Sequence, residues 1–286
     1  MKRYKDIAGD GGSDIVGQVG VQQEKLRARL ADVGAIIAVV SGKGGVGKSS
    51  MTANLAGCFA LAGRRVGVLD ADLNGPTMAK MLGVRGRPLV VGAGGVEPPA
   101  NALGIKVMSM DLLLAADETP LVWAAPTQDE AHTWRGTMEA NALREFLADT
   151  AWGRLDLLLV DLPPGTDRLA TIMGLVPVLA GTVIVTIASD VAHLVVRKSI
   201  TVAGQGTAPV LGLVENMAGM FPGPTGADLA RAADIRLLGT VPFERALAVA
   251  ADTGECFVAA HPDSAAAGAL TDIAQAITQA LDGRRR

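Results

Sequence analysis

Gly42, Gly47, Lys48 and Ser49 are spaced as G-x-x-x-x-G-K-[ST], and that spacing has a direct chemical reading. Glycines at 42, 44, 45 and 47 let the backbone turn sharply and bring bare N–H groups against anionic oxygens. Lys48 would reach the β- and γ-phosphates of a nucleotide, and the Ser49 hydroxyl would hold Mg²⁺. Lys43, Val46 and Ser50 complete the loop. Three acids stand where they could join this chemistry. Asp70 and Asp72 follow the apolar run RVGVLD, and Asp161 closes LDLLLVD. An acid at the end of such a strand is the pattern that binds the Mg²⁺ shell, directly or through water.

Elements that position these residues are legible around them. Ile36 to Val40 is a run of five apolar residues, long enough for a strand buried on both faces. The loop follows, then a helix that starts near Lys48 and stops at Gly63. Arg65–Asp70 reads as the second strand and delivers Asp70 and Asp72 two residues apart, toward one side of the strand end. Gly104–Met110, Leu155–Asp161, Gly181–Ile187, Val210–Asn216 and Leu237–Glu244 read as further strands. Helical stretches are expected over Thr137–Thr150 and Asp263–Leu281, with another opening at Asp190. Near helical spacing of Ile15, Val19, Leu26, Leu30 and Val33 predicts a helix before the first strand, capped by Asp14. Residues 84–103 read as an excursion rich in Gly, Pro and Ala. Strands alternating with helices predict a doubly wound α/β fold, a mostly parallel sheet with helices on both faces. The domain reading is an arm and helix over 1–34 and one nucleotide-binding domain over 35–286.

The loop Gly42-Lys43-Gly44-Gly45-Val46-Gly47-Lys48-Ser49 resembles the deviant Walker A motif of the MinD/ParA class of P-loop ATPases. Three further segments are similar to its Mrp/ApbC branch of iron–sulfur cluster carriers: DADLNGPTMAKMLG from Asp70, DLPPGT from Asp161, and VEN ending at Asn216. The likeness runs over about residues 36–281. It implies an ATP-hydrolysing homodimer in which Lys43 crosses to the partner's nucleotide. By the same resemblance Asp72 orients the attacking water, Asp70 acts near Mg²⁺, and Gly165 approaches the γ-phosphate through its N–H. Asn216 takes the adenine edge, and Pro242 lies in the loop flanking the base. The competing reading of Asn216 is a turn residue with a local backbone bond.

Two departures qualify the likeness. Pro120–Trp123 and Trp134–Met138 resemble two halves of one family segment, with about ten residues, AAPTQDEAHT, set between them. The branch holds a bridging [4Fe–4S] cluster through a C-x-x-C just after the E-N-M strand end. Here that place reads ENMAGMFPGPTG, without cysteine. Thiolates are the usual cluster ligands. The chain's two cysteines are Cys58, expected in the core behind the loop, and Cys256, which across a dimer axis could supply only two ligands. His132, His193 and His261 make no metal spacing with one another.

Composition narrows the function classes. Lys and Arg number 26 against 29 Asp and Glu, so no global basic field exists for nucleic acid, and 3% aromatics argues against base-stacking platforms. Two cysteines make no disulfide framework, and a reducing cytoplasm fits. Leu169–Ser189 is uncharged over 21 residues, yet Pro177 and Gly181 divide it into a helix and a β-branched strand rather than a membrane span. Nucleic acid and membrane are therefore not expected partners; a second copy and a protein partner or cargo are. Two other function classes stay open on the sequence: a MinD- or ParA-like positioning ATPase, and a nucleotide-binding regulator with negligible turnover.

Overall fold

A computed structural model describes residues 15–114, 128–165, 167–176, 178–205 and 209–284. Asp14 and the arm before it, Pro120–Trp123, Thr166 and Pro177, all named in the sequence reading, lie outside the described residues.

The chain opens on α1 (Ile15–Leu30) and then alternates: β1 (Ile36–Ser41), α2 (Lys48–Leu61), β2 (Val66–Asp70) and the short α3 (Met78–Met81). A small hairpin, β3 (Val90–Gly92) and β4 (Gly95–Glu97), precedes β5 (Lys106–Met108) and a 3-10 turn over Met110–Leu113. Then come α4 (Gln128–Asp149), β6 (Leu157–Asp161), α5 (Asp167–Leu175), β7 (Gly181–Thr186), α6 (Asp190–Gln205), β8 (Val210–Ala218) and α7 (Gly226–Ala232). The chain closes with β9 (Leu237–Pro242), α8 (Arg245–Thr253), α9 (Phe257–Ala260) and α10 (Ala265–Asp282).

Seven strands form one parallel sheet in the order β5-β2-β6-β1-β7-β8-β9. The central strands are apolar on both faces because both faces are covered. Ile37, Val39, Leu157, Leu159, Val183 and Val185 point into a core shared with α2, α3, α8, α9 and α10. Their neighbours Ile36, Ala38, Val40, Leu158, Val160 and Ile184 point into the other, shared with α1, α4, α5, α6 and α7. This is the doubly wound arrangement expected. The uncharged stretch from Leu169 resolves into α5 and β7, and among the described residues no helix is long and apolar enough to cross a membrane.

Chain order reverses about β1: β6 lies on one side of it and β7 on the other. Ligands in such sheets bind at the carboxyl ends of the strands beside that point. β1 ends there in the glycine loop and β6 in Asp161, and Asp161 is the in-register neighbour of Asp70 on β2.

The structure differs from the sequence reading in three places. α4 begins at Gln128 rather than Thr137, so Trp134–Met138, likened to half of a family segment, is helical backbone. The excursion over 84–103 carries the β3–β4 hairpin. α7, α8 and α9 are three short helices between the last strands and α10 that the sequence reading does not contain.

Candidate functional site

The loop after β1 is held by its glycines and by the strands around it. Gly45 and Gly47 take left-handed backbone at φ 79° and 78°, a region costly for residues with a Cβ. Gly47 is the residue from which α2 departs, so the helix N-terminus and its free N–H groups face the loop. A Cβ on Gly42 would lie 2.7 Å from the Val196 backbone nitrogen, so α6 packs directly on the loop's first turn. Ser41 Oγ donates to Lys43 O at 3.0 Å and fixes where the Lys43 side chain starts.

A cleft of about 320 Å³ opens over this loop. Lys43, Gly44, Gly45, Val46, Gly47, Lys48, Ser49 and Ser50 line one side, and Asp72 and Pro164 face them. A second, more apolar cavity of about 270 Å³ shares Gly47, Ser50 and Met81 with the first and continues past Asn216, Met217, Pro242, Phe243 and Leu247. A polar cradle joined to an apolar slot suits a phosphate chain and a flat base. Gly42 is buried under the cradle, and Gly165 and the carboxylates of Asp70 and Asp161 stand at the adjoining strand ends.

Asp161 is the hub of the polar side. Its carboxylate is fully buried. Oδ2 accepts from Lys48 Nζ at 2.6 Å and from Ser49 Oγ at 2.7 Å, and Oδ1 accepts from Thr52 Oγ1 at 2.6 Å. Two hard oxygen ligands, Ser49 Oγ and Asp161 Oδ2, so share one spot beside the phosphate cleft. That donor set fits Mg²⁺, which takes few protein oxygens and keeps waters and phosphate oxygens. Thr52 was not singled out in the sequence. Its signal was there: it lies four residues after Lys48 and three after Ser49, on one helix face.

The sequence reading sets Asp70 near the metal. In the structure its oxygens are filled by other donors. Oδ2 accepts from the N–H groups of Thr77 and Met78 at 2.9 and 3.0 Å and from Ser109 Oγ at 3.0 Å, and Oδ1 accepts from Asp72 N at 3.1 Å. Burial, and then the charge of Asp161, push the Asp70 carboxyl up to about 7. Asp70 thus pins the segment carrying Asp72 to β2 and to the end of β5. Asp72 itself lines the phosphate cleft, raised chiefly by burial, with Oδ1 accepting from Gly75 N at 3.2 Å. Gly165, at φ 106°, donates its N–H to Ser41 O at 3.0 Å. Asn216 lines the apolar cavity, but its Nδ2 donates to Val46 O at 2.9 Å, a partner neither sequence alternative named.

The two cysteines lie elsewhere. Cys58 sits on α2 and is buried in the core behind the loop, its thiol pushed up to about 12 by burial. Cys256 precedes α9 and packs on the same helix, its Sγ 2.5 Å from where a Cβ on Gly57 would be. Burial raises its thiol as well. Two inward-packed thiols make no four-thiolate cluster site, and the loop after Asn216 offers methionine in their place. These residues do not fit a [4Fe–4S] cluster.

A family model described as "ParA: NUBPL iron-transfer P-loop NTPase" matches residues 32–278. The chain belongs to that family. Among its curated relatives is the iron-sulfur cluster carrier protein of Saccharolobus solfataricus, 40% identical over 280 residues, 94% of this chain and 91% of that one. The human cytosolic Fe-S cluster assembly factor NUBP2 is 39% identical over 267 residues, 88% of this chain and 94% of that one. A solved structure of a nucleotide-binding protein from Archaeoglobus fulgidus in complex with ADP superposes with a TM-score of 0.68 at 37% identity, covering 82% of this chain and 92% of that one.

Proposed function

We propose that this NTPase hydrolyses Mg²⁺–ATP as a homodimer and serves iron–sulfur cluster assembly in the cytoplasm, without holding the cluster on a C-x-x-C of its own. The observation that carries the reading is the joint grip of Lys48, Ser49 and Thr52 on Asp161 beside a glycine cradle with free amides. The ADP complex of the Archaeoglobus relative and the names of the curated relatives support it.

The residues divide the work by position. Loop amides from Lys43 to Ser49 wrap the phosphates. Lys48, tethered to Asp161 at 2.6 Å, swings to the β- and γ-phosphates and is released by the negative charge arriving there. Ser49 and Asp161 would hold Mg²⁺, which would supply positive charge to offset that of the phosphates. Asp72, on the facing wall, orients the water that attacks the γ-phosphorus. Asp70 keeps Asp72 in place through the Thr77 and Met78 amides. Lys43, half exposed at the cleft mouth, lends its charge to the partner's γ-phosphate as ADP leaves. Asn216 and Pro242 border the base.

ATP hydrolysis by wild type, Lys43→Ala and Lys48→Ala, with the oligomeric state of each in ATP, tests this. Wild type is expected to turn over and to pair, and both variants to lose turnover by about a hundredfold or more. Equal rates in all three proteins would defeat the assignment.

A further inference from the structure

We propose that Asn216 is a positioning residue that holds the phosphate loop in its anion-binding shape, so that the rim of the base cavity controls the cradle for the phosphates. The inference rests on the nucleotide reading above and assigns this asparagine a task besides bordering the base.

Asn216 is 4% exposed, and its Nδ2 donates to Val46 O at 2.9 Å across 170 residues of sequence. That carbonyl belongs to the peptide unit between Val46 and Gly47. A trans peptide is planar with its C=O and N–H pointing in opposite directions. Holding the carbonyl on Asn216 therefore aims the Gly47 N–H away from Asn216. Val46 and Gly47 line the phosphate cleft, and Asn216 does not. The contact is also close. A Cβ on Gly47 would collide with Asn216 Nδ2, so the amide lies directly on the loop backbone at its left-handed residue.

The strut has a firm base. Pairing of β8 with β9 shifts register between Glu215 and Ala218, and Met217 takes φ 54°, rare for a residue with a side chain. Such irregularities re-aim a side chain. Glu215, also buried, accepts the Gly226 N–H at 2.5 Å and ties the strand end to α7. The amide of Asn216 is thus presented to the loop by a fixed strand end, and a hydrogen-bonded tie of this reach restrains a glycine-rich turn that would otherwise sample many conformations.

Inorganic tripolyphosphate, which has no base, separates the two tasks. Binding of Mg²⁺–ATP and of Mg²⁺–tripolyphosphate is measured for wild type, Asn216→Ala and the similarly branched Asn216→Leu, the latter serving if the alanine variant fails to fold. Hydrogen exchange of the Met51 amide, bonded to the loop at Gly47 O, accompanies it, read without ligand. The strut predicts that both ligands weaken by a similar factor of about ten, the size of one net hydrogen bond, and that the Met51 amide, which donates to Gly47 O at 2.9 Å, exchanges faster in the variants. Loss of ATP binding with tripolyphosphate binding and exchange unchanged would overturn it and leave a base contact only. If wild type binds tripolyphosphate too weakly to measure, exchange decides: faster supports the strut, unchanged refutes it. Wild type that binds neither ligand would instead defeat the nucleotide reading, with exchange still judging the strut.

Discussion

Replacing Thr52 by valine removes one hydroxyl from the centre of the polar site and leaves the volume nearly intact. Thr52 is fully buried, and its Oγ1 lies 2.6 Å from Asp161 Oδ1 and 3.1 Å from Lys48 O. A hydroxyl has one proton, and the shorter, charged partner takes it. No water can replace it, because the Asp161 side chain is fully buried. A hydrogen bond to a charged group is worth about 1.5–3 kcal/mol. For a chain of this length each kcal/mol moves the melting temperature by about 2–4 °C, so Thr52→Val should melt about 3–12 °C lower. Thr52→Ser keeps the hydroxyl and should recover most of that loss. With one anchor gone, Asp161 is also freer to rotate, and the Mg²⁺ concentration for half-maximal nucleotide retention should rise several-fold in the valine variant and not in the serine one. Differential scanning calorimetry and a Mg²⁺ titration read both effects. A valine variant that melts within about 1 °C of wild type, or a serine variant that melts as low as valine, would refute the reasoning.

Gly47→Ala places a Cβ against Asn216 Nδ2 on a backbone at φ 78°, and nucleotide binding measured by equilibrium dialysis should fall by at least about tenfold while the fold survives. The Asp70 carboxyl, held up to about 7 in the folded chain against 3.8 ordinarily, binds more protons folded than unfolded between those values. Its contribution to stability is therefore complete below about pH 4 and is lost as pH rises through about 7. Between pH 5 and pH 8 the melting temperature of wild type should fall relative to that of Asp70→Asn; parallel curves would contradict the cause given. Anaerobic incubation with iron and sulfide should leave far less than one [4Fe–4S] cluster per pair of chains, unaffected by Cys256→Ser; full occupancy by absorbance and metal analysis would restore a cluster site.

The sheet could be read from the sequence because each central strand is a run of apolar residues and each ends in a loop of distinctive chemistry. Ile36–Val40 and Leu155–Asp161 leave little room for another reading. What escaped were elements without such runs. The β3–β4 hairpin is only three residues a side. α7 does carry a local signal, Thr225 and Asp228 as a reciprocal capping box, but at seven residues it is too short to show a helical apolar period. At the site, types and spacing point to the loop and to the acids at the neighbouring strand ends, where Asp72 lines the cleft and Asp161 lies buried beside it. Partners were harder to see. That Asp70 faces the Thr77–Met78 backbone, and that Asn216 holds Val46 O, depends on strand register and on a bulge, which no local pattern encodes.

The central claim is that the glycine loop and Asp161 together bind one Mg²⁺–nucleotide per chain. Calorimetric titration of ATP into the protein, with and without Mg²⁺, tests it most directly. The account predicts one site per chain, tightened by Mg²⁺ and lost in Lys48→Ala. Wild type without heat of binding, or Lys48→Ala binding as tightly as wild type, would contradict it.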